Sequence, residues 1–356
     1  MKYSLIFFIL LFISCQTDKA SVRRIISKVE IKTIIQDSSL NVRALEILKN
    51  NQGGAFLTSN GELGSFFKID LEDLPRRSKE FFVTPLKPII YDSIKPNFRA
   101  LALTGNGGFG ISIGNPALLY DLAEDQEKLV YKEENEKVFY DSMEFWNETE
   151  GIAIGDPTAT CMSILITRDG GKIWQKIACD KLPVANDGEA AFAASDTNIA
   201  IYGEKAWVAT GGKSSRVLFT SDKGNSWSIY DTPIIQGKET TGIYSIDFYD
   251  EKVGFAIGGD YTDPDSNEAN KIRTTDGGKN WETITGGPGY RSCVQYIPGS
   301  EGSELVVVGF KGIDYSQDGG LSWTHLSNEG FYTIRFLNDS TAFAAGKGRV
   351  AKLMFK

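Results

Sequence analysis

Apolar residues along this chain fall in short runs that end in glycine: Ile111-Ser112-Ile113-Gly114, Ile152-Ala153-Ile154-Gly155, Val208-Ala209-Thr210-Gly211, Phe255-Ala256-Ile257-Gly258, Val306-Val307-Val308-Gly309 and Phe343-Ala344-Ala345-Gly346. Ala55-Phe56-Leu57-Thr58 takes the same place near the start. Such short apolar runs, closed by a turn former, predict strands rather than helices. A second column precedes them, a strand with a small residue near its beginning: Arg43-Ala44-Leu45, Arg99-Ala100-Leu101, Asp141-Ser142-Met143, Ala190-Ala191-Phe192, Tyr244-Ser245-Ile246, Arg291-Ser292-Cys293 and Tyr332-Thr333-Ile334. Small side chains suit strands crowded around a common axis.

The small residues of that column lie 41 to 56 positions apart, a period that fits one four-stranded propeller blade. The count is seven. The last unit ends after three strands' worth of sequence, and Val29-Glu30-Ile31-Lys32-Thr33-Ile34-Ile35, which has no partner before the first blade, supplies the missing outer strand. Closing the ring in this way removes an exposed sheet edge. A six-bladed ring is the alternative, if the two weakly marked first blades merge.

A polar motif runs through the same repeats. Thr167/Asp169/Gly171/Trp174 recurs at identical spacing as Thr220/Asp222/Gly224/Trp227, Thr274/Asp276/Gly278/Trp281 and Ser316/Asp318/Gly320/Trp323. Aspartate closes a tight turn on backbone N–H groups, glycine supplies positive φ, and tryptophan buries a large ring. These aspartates therefore hold turns and are not candidate catalytic acids.

The pattern of apolar strand, Gly-x-Ala-x-Gly and Thr-x-Asp-Gly-Gly-x-x-Trp resembles the Asp-box (BNR) repeat propellers. It is most similar to the photosystem II assembly-factor-like group, over roughly residues 27–356. Gly155-Asp156-Pro157, Gly188-Glu189-Ala190-Ala191-Phe192, Gly258-Gly259-Asp260-Tyr261 and Gly289-Tyr290-Arg291-Ser292 look like its bacterial envelope members. The resemblance implies an all-β, seven-bladed propeller closed by an N-terminal strand, with Asp-box hairpins on four blades. It implies a role in binding or assembly only loosely.

The ends and the charge add a compartment. Met1-Lys2-Tyr3-Ser4 leads into an uncharged apolar run from Leu5 to Ile13, too short to span a bilayer and fitting a secretory signal. Phe12-Ile13-Ser14-Cys15 looks like a lipoprotein cleavage box, so residues 1–14 are expected to leave and Cys15 to be lipidated. Residues 15–26 would be a tether and 27–356 a single propeller. The expectation is an exported monomer held in the bacterial envelope, at the outer membrane, touching the membrane through its lipid alone. A net charge of −8 argues against nucleic acid or an anionic membrane surface as partner. Cys161 and Cys179 flank the first Asp-turn nearly symmetrically, which leaves both a disulfide and two buried thiols open. Cys293 reads as a core residue. No Cys/His grouping has metal-ligand spacing, and His325 is the only histidine, so neither a metal nor a cofactor is expected.

In a propeller the innermost strands begin on one face, and the Asp-turns emerge on the other. That places Arg43, Arg99 and Arg291 at a common mouth, with Asp141, Glu189, Tyr244 and Tyr332 on the other strand entrances and Asp156, Asp260 and Tyr261 just after the glycine column. Converging guanidiniums suit an anion, a glycan acid or an acidic protein segment. The structural alternative is that pairs such as Arg99 with Asp141 knit blades together. The competing function is a sialidase-like glycan hydrolase: an arginine triad with Tyr244 or Tyr332, Glu189 and Asp141 fits that cast in kind, but the early Arg-Ile-Pro segment of sialidases is missing. Gly105-Asn106-Gly107-Gly108-Phe109-Gly110 satisfies a dinucleotide pattern, yet a strand follows it where a helix is required. Asp263-Pro264-Asp265-Ser266-Asn267-Glu268 has alternating acidic oxygens but lacks the glycine and distal glutamate of a calcium loop.

Overall fold

In the computed structural model, residues 24–49, 51–69, 80–123 and 127–356 are described. The expected signal segment 1–14, Cys15 and most of the expected tether lie outside them. The regular structure of the described chain is antiparallel sheet, apart from one short 3-10 helix at Cys179–Lys181.

One ladder recurs. Tyr140–Phe145 pairs with Gly151–Gly155, which pairs with Ser163–Thr167 and then Gln175–Lys176. The same four-step order holds from Asn97–Thr104 to Lys128–Glu133, from Ile199–Tyr202 to Ser228–Asp231 and from Cys293–Tyr296 to Thr324–Ser327. The second strand of each is buried along its length, as at Gly151–Gly155 and Leu305–Gly309, whereas the outer strand Glu282–Thr283 is exposed. Burial on both faces is what permits the uniformly apolar glycine-ended runs.

The core is distributed between neighbouring sheets. Ala100, Phe109, Met143, Ala153 and Trp174 form one cluster, and Ile152, Ile164, Ile199, Val208 and Leu218 the next. The first strands of successive sheets touch in sequence order, and Thr333–Phe336 touches Val29–Ile47 in turn. Val29–Ile47 serves two sheets: Val29 faces Phe355 and Gln36 faces Arg349, while Leu45 faces Phe56 further along.

The four aspartate turns have one geometry. Thr220 Oγ1 donates to Asp222 Oδ1 at 2.8 Å and accepts the Gly224 N–H at 2.8 Å, while Asp222 accepts the Ser226 N–H at 2.9 Å. Thr167, Thr274 and Ser316 repeat the first two bonds. Glycine is required twice over: Gly171 has φ +82, and a Cβ there would lie 2.2 Å from the Phe109 ring. Thr167 is level with Gly151 and Phe145, at the far end of the strand that begins near Asp141. Gly107–Ile113 pairs back on Asn97–Thr104, so the glycine-rich 105–110 segment is a hairpin.

One repeat departs from the expected register. The first strand of the fourth sheet is Ile199–Tyr202, not the Ala190-Ala191-Phe192 segment. Glu189–Ala190 instead pairs with Gly211–Gly212, which continues onto Thr241–Phe248 of the next sheet. Residues 191–198 are thereby freed to cross the axis.

Candidate functional site

The column of candidate residues is a column of β-bulges. Register shifts fall between Val42 and Ala44, Phe98 and Ala100, Tyr140 and Ser142, and Ile243 and Ser245. The extra residues are Arg43, Arg99, Asp141 and Tyr244. A bulge re-aims its side chain away from the ladder alternation, which turns these groups toward the end of the ring. A cavity of about 590 Å³ opens there, lined by Arg43, Arg99, Asp156, Phe192, Tyr244, Tyr261, Tyr290, Phe310 and Tyr332 among others.

Arg43 and Arg99 are set apart by their electrostatics. Of the described arginines, they alone have no carboxylate partner. The Arg43 guanidinium lies over the Tyr332 ring, 4.0 Å from its centre, a cation–π contact that leaves N–H groups in the ring plane available. Its Nε is buried without a partner. Burial, then the neighbouring Arg43 charge, lowers the Arg99 pKa to about 10. Both groups therefore remain cationic at neutral pH.

The expected Arg99–Asp141 ion pair does not form. Arg99 donates instead to Asn97 Oδ1 at 3.1 Å and to the Ala193 carbonyl. Asp141 is completely buried and its oxygens accept no well-formed hydrogen bond. Desolvation, reinforced by the nearby Asp156 charge, pushes its pKa well above the usual carboxylate range. Asp156 is also desolvated, to about 6, against the Ala191 N–H that its Oδ1 accepts at 2.8 Å.

What the arginines touch is the chain itself. Residues 191–197 form a strap across the axis. Arg43 donates to the Ala194 carbonyl at 2.9 Å, Arg99 to Ala193 at 3.3 Å, and Arg335, from deeper in the channel, to Asp196 at 3.2 Å. Thr333 Oγ1 donates to the Ser195 carbonyl, and Ser195 Oγ donates to that of Ser292. The Asp196 carboxylate accepts the N–H groups of Leu101 and Met143, covering the open edges of two innermost strands. The strap turns the axial channel into a cup. The sequence does not reveal it, because Ala190-Ala191-Phe192 fits the strand column equally well. Its signal was the long interval between Trp174 and the next apolar run.

The remaining predicted groups divide. Tyr332 and Tyr244 line the cup, the latter with its Oη donating to the Thr240 carbonyl at 2.9 Å. Tyr261 is at the rim. Asp260, just before it, accepts from Thr262 and Lys238; these bonds outweigh desolvation and hold its pKa at about 2. Arg291 is not in the cup: it is buried and paired with Asp314, whose other oxygen meets His325 Nδ1 at 2.9 Å. Glu189 is not at a strand entrance, being buried against Arg216 and Thr210. With Arg291 and Glu189 elsewhere and Tyr244 bonded to a carbonyl, the groups of a sialidase-like site are not brought together. Among the described residues no group of three or more His, Cys, Asp or Glu is disposed to hold a metal, and Asp265 of the acidic loop pairs with Lys311. Cys161 and Cys179 are joined in a disulfide, and Cys293 is a buried thiol.

No protein-family model matches the chain, and no curated protein matches it. Solved structures do. One described as YCF48 bound to D1 peptide superposes with a TM-score of 0.61 at 13% identity, covering 93% of this chain and 99% of that one. YCF48 from Cyanidioschyzon merolae gives 0.58 at 11% identity, covering 92% and 98%. At such identities the likeness concerns the fold, which is an all-β propeller.

Proposed function

We propose that this chain is a non-enzymatic binding or assembly module that takes an anionic segment of a partner protein into the cup at Arg43 and Arg99. The observation that carries this is the pair of adjacent guanidiniums with no carboxylate partner in a partly desolvated cavity. A buried cation without a counter-ion costs stability unless a ligand or function retains it. The neighbour described as bound to D1 peptide supports a protein ligand by analogy of fold alone.

The scaffold in this reading is a seven-bladed propeller over residues 27–356, closed by the N-terminal strand and carrying Asp-box hairpins on four blades. The unbroken order of contacts among the innermost strands supports that count. The cleavage box before Cys15 supports export and lipid anchoring in the envelope, where the partner would be met; the Cys161–Cys179 disulfide suits an oxidising compartment. A glycan hydrolase at the same mouth is the weaker reading, given where Arg291 and Glu189 stand.

The test is capture of envelope proteins by the mature, lipidated chain, compared with a variant carrying Arg43→Gln and Arg99→Gln. A discrete set of partners retained by the parent and lost by a folded variant is expected. Equal capture by both proteins sinks the proposal.

A further inference from the structure

The strap carries information about what the cup accepts. Its residues present an aromatic ring and then two oxygen acceptors. The Phe192 ring stacks on Tyr244 with centroids 3.8 Å apart and planes at 5°. The next two carbonyls, of Ala193 and Ala194, receive N–H groups from Arg99 and Arg43. The cup is thus divided into a cationic side and an aromatic side, and the chain's own backbone spans both.

The aromatic side extends past the strap. Tyr290 meets Tyr244 edge to face at 4.8 Å and Phe310 at 5.4 Å, and Tyr261 stands 6.4 Å from Tyr244 and 6.5 Å from Tyr290. Tyr244 and Tyr290 are buried, but Tyr261 and Phe310 are 48% and 43% exposed. The ring cluster therefore ends in an uncovered wall beside the arginines. Such rings favour an incoming ring in an offset or edge-to-face arrangement. A small inorganic anion would use the cationic side alone and leave this wall wet.

Resting on the reading that the cup binds an anionic protein segment, we propose that the segment it recognises carries an aromatic residue within one or two positions of a carboxylate. The ring packs against Tyr261 and Phe310, and the carboxylate takes the guanidinium N–H groups that the strap leaves free. The strap uses Nη1 of each arginine, and Arg99 Nε is taken by Asn97. Nη2 of each remains for the ligand, so two charge-assisted bonds can converge on one carboxylate.

The experiment is calorimetric titration of the mature chain with a capped pentapeptide, Gly-Phe-Gly-Asp-Gly, and two analogues. In one analogue alanine replaces the phenylalanine, and in the other asparagine replaces the aspartate. Loss of the ring is expected to weaken binding about tenfold or more. Tyr261→Ala with Phe310→Ala should remove that advantage from the parent peptide and leave the alanine analogue's affinity unchanged, as a double-mutant cycle requires. Equal affinity for the parent and the alanine analogue, or for the parent and glucuronate, overturns the inference while leaving anion binding intact. Equal affinity for the parent and the asparagine analogue overturns the anionic reading itself. Both replaced rings are exposed, so the variant protein is expected to keep its fold.

Discussion

The cup and the buried channel wall beside it both contain arginines on or next to innermost strands, yet the two regions treat them oppositely. Arg291 and Arg335 are closed against Asp314 and Glu46. Arg43 and Arg99 meet a tyrosine face and two peptide carbonyls. The matched pair is buried and the unmatched pair half-buried, and the partner differs with it. A guanidinium whose charge is matched by a carboxylate is spoken for, whereas one held by neutral carbonyls is positioned with its charge still available.

The largest effect should come from breaking the matched side. Arg291→Leu would leave the buried Asp314 carboxylate with His325 as its remaining partner and is expected to lower stability by about 3 kcal/mol in urea unfolding. A loss below about 1 kcal/mol would mean that the two regions are not electrostatically distinct. Next comes the unmatched side: Arg43→Gln with Arg99→Gln should weaken an acidic peptide by about 100-fold, near 2.7 kcal/mol, while thermal unfolding shifts little. A large drop in unfolding temperature would instead make these arginines clamps for the strap. Asp222→Ala, at the far rim, removes acceptors for Thr220, Asn225 and Ser226. About 1–2 kcal/mol of stability should go, with peptide affinity unchanged in the same titration.

The smallest effect is a pH dependence. Asp156, with its pKa near 6, shares the cup with Arg43, Arg99 and Glu239, and the buried Asp141 lies close enough for the two carboxyl groups to raise each other's resistance to ionisation. A bound anion raises the Asp156 pKa further, so binding takes up protons and must strengthen as pH falls through 6. A severalfold gain between pH 7.5 and 5.5 is expected, with the ligand carboxylate still ionised. Asp156→Asn should flatten the profile, and a profile that stays steep in that variant would assign the effect to another group.

The repeats were legible in the sequence because every copy solves the same local problem. Gly171, Gly224, Gly278 and Gly320 all need positive φ, and their spacing fixed the ruler against which Arg43 and Arg99 lined up. The fourth repeat misled because Ala190-Ala191-Phe192 and Asn198-Ile199-Ala200 both present small residues beside an apolar one, and only pairing with Lys205–Ala209 selects the second. Which arginine would be neutralised was also unreadable, since Asp314 and Glu46 lie far in sequence from the residues they pair with. Arg335 escaped notice for a related reason: it sits two residues past the column, where alternation sends its side chain down the channel rather than to the rim.

The strand Val29–Ile47 has a consequence for how the molecule is made. Its first half pairs with Arg349 to Phe355, so it is synthesised long before its partners. Until they follow, one half of the strand is paired to Gly53–Thr58 while the other half is a bare apolar edge, Ile31, Ile34 and Ile35 included. Closure therefore waits until Arg349 to Phe355 have been made, and a chain cut short near residue 340 keeps most of its sheets yet carries a sticky end.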